Sequence, residues 1–112
     1  MAVYTASRPS KHARGTHHSY SSRDRLLLSS IVGRATGGGR EQTQEFMRRE
    51  RFQPLGMHSA KPRFDDSGTF IGSSYVLATA RDFAPFGNRY LRDGAWETHR
   101  ILSERWIDLI LV

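Results

Sequence analysis

Apolar residues are unevenly placed along the chain. Residues 1–25 and 33–45 hold almost none that could join a core. Three stretches carry helical spacing. In residues 22–32 (SRDRLLLSSIV), Leu27, Leu28, Ile31 and Val32 form a narrow apolar stripe. Ser22 is a candidate N-cap, and Asp24 suits the positive end of the dipole. This predicts a short helix at 23–32, which at about three turns is marginal alone and needs a groove to lie in. Residues 41–53 (EQTQEFMRRERFQ) are good helix formers throughout. Glu45 and Arg49 stand at i,i+4, Phe46 and Met47 give one apolar side, and Pro54 ends the helix. Arg48, Arg49 and Arg51 read as a solvated face or as a grip on phosphates or acids. The clearest pattern predicts a helix over 95–111. Asp93 is its candidate N-cap and Glu97 lies in its first turn. Leu102, Trp106, Leu109 and Ile110, with Ile101, make its anchoring apolar face.

Between these stretches the pattern changes. Residues 33–40 (GRATGGGR) predict a flexible linker, and they lack the Gly-Lys-Ser/Thr end of a phosphate loop. Residues 62–94 carry Phe64, Phe70, Tyr75, Phe83, Phe86 and Tyr90, half of the twelve aromatics. They stand 3 to 8 residues apart, which fits neither a helix nor a strand period. Such a segment can lie extended and place its rings one by one in pockets of a partner. Turn chemistry marks Asp65-Asp66-Ser67-Gly68 and Ala84-Pro85-Phe86-Gly87. Thr69-Phe70-Ile71 and Tyr75-Val76-Leu77 predict a small hairpin at 69–79. The expected fold class is mostly irregular and extended, with a few short α-helices (23–32, 41–53, 95–111) and no large independent core. The expected divisions are a basic N-terminal arm at 1–23, two short helices with their linker at 24–53, an extended aromatic segment at 54–94 and an amphipathic helix at 95–112.

Composition sharpens this picture. Hydrophobic residues are 38% of the chain, below the roughly 45–50% of globular domains, a reference that also counts Gly. A partner is therefore expected to supply part of the burial. The net charge is +6. It rests on 15 Arg and 2 Lys, and Arg suits acidic protein surfaces and nucleic acid alike. An Arg-rich chain with a single Asn (Asn88) is also what a GC-rich genome produces. Arg8, Lys11, Arg14 and Arg23 precede the first acid, Asp24. Residues 1–23 thus read as a binding arm or as an Arg- and Ser-rich targeting segment, although Pro9 and Gly15 interrupt the amphipathic helix the latter needs. No cysteine is present, which excludes disulfides, thiolate metal sites and a Cys nucleophile. The longest apolar run, Ile107 to Val112, is broken by Asp108, so no membrane span is expected.

Candidate chemistry is sparse. His12, His17 and His18 match no zinc spacing. Asp65-Asp66 before Ser-Gly reads as a turn rather than an acid–base pair, and no Gly-x-Ser-x-Gly elbow is present. No catalytic residue, metal ligand or cofactor is assigned, and a non-enzymatic role is expected. The Arg-plus-aromatic pattern is the informative one. Phe64, Phe70, Tyr75, Phe83, Phe86 and Tyr90 would anchor in a partner, and Arg63, Arg81, Arg89 and Arg92 would pair with its acids.

Arg63-Phe64, Phe70-Ile71-Gly72, Tyr90-Leu91-Arg92-Asp93-Gly94 and Thr98 give residues 62–98 a likeness to a known family. This stretch resembles the small microtubule inner proteins of cilia and flagella, of the Pierce type. The resemblance implies a structural chain packed on tubulin inside axonemal doublets. The alternative is a mitochondrial or ribosomal accessory subunit that binds RNA or a membrane complex, which the acid-free N-terminus motivates.

Overall fold

The computed structural model describes residues 2–111, and for 110 and 111 the backbone alone. The chain forms short helices and two-stranded sheets, and among the described residues there is a small hydrophobic core and no large independent one. It divides into two compact units, Met1–Thr43 with Pro62–Tyr75, and Gln44–Lys61 with Val76–Val112.

In the first unit, α1 (Ala2–Ala6) packs against α2 (Ser22–Ala35). Ser21, one residue before the expected cap, accepts the Asp24 amide at 3.4 Å. Helix α2 runs beyond 32 into the expected linker. Gly33 continues the helix, and a Cβ there would make only ordinary contact with the Thr43 hydroxyl, at 3.5 Å. The reversal then uses Gly37, Gly38 and Gly39, all with positive φ, and α3 (Arg40–Met47) begins. The buried residues of α2 are Leu26 and Ser29. Leu28 and Ile31, from the expected stripe, are 62% and 60% exposed.

The expected hairpin at 69–79 does not form. Asp65 is the reason. Its carboxylate accepts the Ser67 amide at 3.0 Å, the Ser67 hydroxyl at 2.7 Å and the Thr69 amide at 2.8 Å. That tight turn brings Phe70 back onto Phe64 in a single antiparallel bridge. The Arg63 amide then donates to the Tyr75 carbonyl, and Ile71 to Arg63, each at 3.0 Å. Gly72 fits where a Cβ would run into the Ser29 hydroxyl.

The second unit holds the end of α3 and the turn that follows it. Arg48–Phe52 forms one wide π-turn, with the Gln53 amide on the Arg48 carbonyl at 2.8 Å. This shift of register replaces the expected Glu45–Arg49 pair with Glu45–Arg48 and Arg49–Glu50 pairs, both at 2.7 Å. It also turns Phe52 inward to join Leu55 and Met57 in the core. Ala78, Phe86, Trp96 and Ile101 pack against that core. Where the chain leaves and re-enters this unit, Lys61–Pro62 (β1) and Val76–Leu77 (β2) form one two-stranded sheet, of which Pro62 counts with the first unit.

Helix α4 (Ala80–Leu91) lies where an extended segment was expected. Pro85 and Gly87 conceal it in the sequence. Its start is well fixed: Thr79 accepts the Asp82 amide at 3.3 Å. The Asp82 carboxylate in turn accepts the Ser59 amide and hydroxyl, each at 2.7 Å. Those Ser59 bonds hold the Asp82 carboxyl below the usual carboxylate range. The same direction holds at Asp65, where burial opposes the charge but the Ser67 and Thr69 donors outweigh it. A lowered folded pKa means a contribution present above the unfolded value and lost as pH falls through the folded one. Acidification from neutral pH to about pH 3 is therefore expected to destabilise the chain. Asp82→Asn should be less stable at neutral pH and flatter in its acid dependence, read from urea midpoints at both pH values.

The expected helix over 95–111 forms only in its second half. Gly94 has φ 82° and its carbonyl accepts the Ile101 and Leu102 amides, at 2.9 and 3.0 Å. That closure makes a small antiparallel hairpin of Ala95–Trp96 (β3) and His99–Arg100 (β4), with Ala95 facing Arg100 and Trp96 facing His99. Helix α5 (Glu104–Leu111) follows, with the Ser103 hydroxyl accepting the Trp106 amide at 3.3 Å. Ile107 is its buried residue. Among the expected anchors, Leu102 is half-buried, Trp106 and Leu109 are exposed, and the Ile110 side chain lies outside the described residues.

Candidate functional site

The ten residues expected to meet a partner fall in both units. Arg63, Phe64, Phe70 and Tyr75 belong to the first, and Arg81, Phe83, Phe86, Arg89, Tyr90 and Arg92 to the second. In the first unit, Phe64 and Phe70 pack on each other with ring centroids 5.9 Å apart. The Arg40 guanidinium lies 5.5 Å from the Phe64 ring. Arg63 and Tyr75 are exposed.

The second unit gathers the denser cluster. Phe83, Phe86 and Tyr90 share one face of α4 at i, i+3 and i+7. Phe83 and Phe86 meet edge to face at 6.5 Å, and Phe86 and Tyr90 at 6.1 Å, a favoured arrangement for aromatic pairs. The Arg89 guanidinium lies 4.0 Å from the Phe86 centroid and 4.9 Å from the Tyr90 centroid. Its Nη2 donates to the Tyr90 hydroxyl at 3.0 Å. Arg89 is only 1% exposed, and its Nε and Nη1 have no hydrogen-bond partner.

A second guanidinium faces this one. The π-turn carries Arg51 to 5.9 Å from the Phe86 centroid. Burial first, and then the Arg89 charge, push its pKa below the ordinary value. Arg48 and Arg49 are paired with glutamates on the outside of the same segment, whereas Arg51 is half-buried. The sequence offered a faint signal for this difference. The run Arg48-Arg49-Glu50-Arg51 follows Glu45, so three cations share two acids. Nearby, Arg92 stacks on Trp96 at 5.3 Å, while Arg81 and Phe83 remain exposed. The cluster is thus a buried guanidinium packed on the rings of Phe86 and Tyr90, with Arg81 and Phe83 exposed on the same helix.

The first unit also has a basic cleft of about 700 Å³ at its N-terminal part. Arg8, Lys11, Arg14 and Arg23 line it, with Asp24 the acid among its walls. Among the described residues, no three His, Cys, Asp or Glu side chains are grouped to hold a metal ion, and no helix is long and apolar enough to cross a membrane. No protein-family model, no curated protein and no solved structure matches the chain.

Proposed function

We propose that the chain is a non-catalytic structural component of a larger assembly that docks on an acidic protein surface. Tubulin inside the doublet microtubules of a ciliary or flagellar axoneme is the partner we assign. The observation that carries this reading is inverted burial. Among the described residues five hydrophobic side chains are buried (Leu26, Phe52, Leu55, Met57 and Ile107), while thirteen large ones are exposed. Leu91 is 85% exposed and Leu109 71%. A chain this poor in burial gains stability from a surface that covers those groups. The net charge of +6 selects an acidic one, and the resemblance of residues 62–98 to microtubule inner proteins supplies tubulin. The test is the location of a tagged chain before and after detergent and high-salt extraction. Retention along the axoneme is expected. Complete release into the soluble fraction, or a mitochondrial signal, overturns it.

The basic cleft of the first unit favours a second reading, an RNA-binding accessory subunit of a mitochondrial or ribosomal complex. It predicts RNA affinity that falls steeply with salt. Salt-insensitive or undetectable binding in a gel-shift titration removes it.

A further inference from the structure

We infer that Arg89, with Arg51 beside it, is a receptor for a single carboxylate presented by an acidic partner protein. The inference rests on the docking reading above and names the chemistry of one contact within it.

Arg89 has more donors than partners. A guanidinium has five N–H donors and no acceptor. At Arg89 the Tyr90 hydroxyl takes one bond from Nη2, and the three N–H groups on Nε and Nη1 have none. Burying such a group is costly unless it is both paired and hydrogen-bonded. Here the cost is raised by a second cation, since Arg51 faces the same ring. Phe86 and Tyr90 attract the positive charge through their faces but give Nε and Nη1 no acceptor. The acids of the unit are engaged elsewhere or do not reach. Glu45 and Glu50 pair with Arg48 and Arg49, Glu104 with Arg100, and Asp82 with Ser59. The folded unit therefore holds a concentrated positive charge whose complement is not on its own described side chains.

Size decides the class of ligand. The free nitrogens of Arg89 lie beneath the surface. A Glu or Asp side chain is slender and ends in a flat pair of oxygens that matches guanidinium donors. A nucleic-acid phosphate arrives on a wide sugar backbone and fits surface cations better. Entry would need rotation of the half-buried Arg51, whose guanidinium lies 5.9 Å from the Phe86 centroid. Phe83, 42% exposed and packed edge-on against Phe86, is the apolar contact beside the entrance.

The test uses the full chain with a capped tetraglutamate peptide, its tetraglutamine counterpart and inorganic phosphate, at fixed ionic strength. The readouts are the NMR signal of the Arg89 Nε–H and the melting temperature. The glutamate peptide is expected to shift the Arg89 signal saturably and to raise the melting temperature, while the glutamine peptide does neither. Arg89→Met should fold, melt higher than wild type when free, and lose the peptide response. Arg51→Met, at the entrance, should weaken the response about tenfold. No saturable shift with the glutamate peptide, a response that survives Arg89→Met, or a phosphate response stronger than the glutamate one each overturns the inference. Retention of Arg89→Met on axonemes equal to wild type sinks this contact while leaving the docking reading standing. Loss of wild-type retention with an intact, Arg89-dependent peptide response sinks the tubulin assignment and leaves the carboxylate receptor.

Discussion

Gly94→Ala is expected to destabilise the second unit by about 3 kcal/mol, enough to leave much of it unfolded. Two penalties add. The residue has φ 82°, a conformation that an L-residue with a Cβ adopts only at a cost of ~1–2 kcal/mol. The added Cβ would also strike the Leu102 carbonyl. That neighbour is backbone, held in place because the Leu102 amide bonds to Gly94 itself. Relief would break the closure that sets β3 and β4 and starts α5. Both tryptophans, Trp96 and Trp106, belong to this unit, so urea unfolding followed by tryptophan fluorescence reads the loss directly. Gly87→Ala is the contrast. A Cβ there meets nothing within 4 Å and the backbone is ordinary helix, so a gain of up to ~1 kcal/mol is expected. Equal midpoints for the two variants would contradict the account of Gly94.

Leu55→Ala is the second large effect, with an expected loss of about 3–5 kcal/mol. Leu55 is 1% exposed at the centre of the cluster with Phe52 and Met57. The unit has segments of 18 and 37 residues. At about 0.05–0.15 kcal/mol per residue its whole stability is only ~3–8 kcal/mol. One cavity at Leu55 therefore removes most of it, and a cooperative tryptophan transition should shrink or vanish. Leu109→Ala, at an exposed site, should change the midpoint by no more than ~0.5 kcal/mol. A similar large loss at both positions would place the core elsewhere.

Helix existence near 23–32 and 41–53 was legible because caps, acids in the first turn and helix formers agree there. The turn at Asp65–Gly68 was legible for a related reason, since one carboxylate can satisfy two amides locally. Helix α4 was not, because Pro85 and Gly87 mask its period, and its start depends on a distant clamp from Ser59 to Asp82. The hairpin of β3 and β4 was hidden by a convincing apolar period over 95–111. A left-handed Gly94 with two amides on its carbonyl outweighed that period. In the cluster, the rings and Arg89 were visible as a pattern. Their convergence on one helix face needed α4, and the inward turn of Arg51 needed a π-turn that no local residue announces.

Neither unit is a continuous piece of chain. The first needs residues 62–75 and the second resumes only at 76. Synthesis runs from the N-terminus at about 5–20 residues per second, so residue 75 is added about two to six seconds after residue 43. Helices form in about a microsecond, and α2 has long been made when the segment at 62–75, whose Gly72 lies against Ser29, is still being assembled. Closure of the first unit thus waits on translation rather than on conformational search, and residues 44–61 stand open meanwhile. A gene cut inside codons 44–75 leaves both halves without a complete unit.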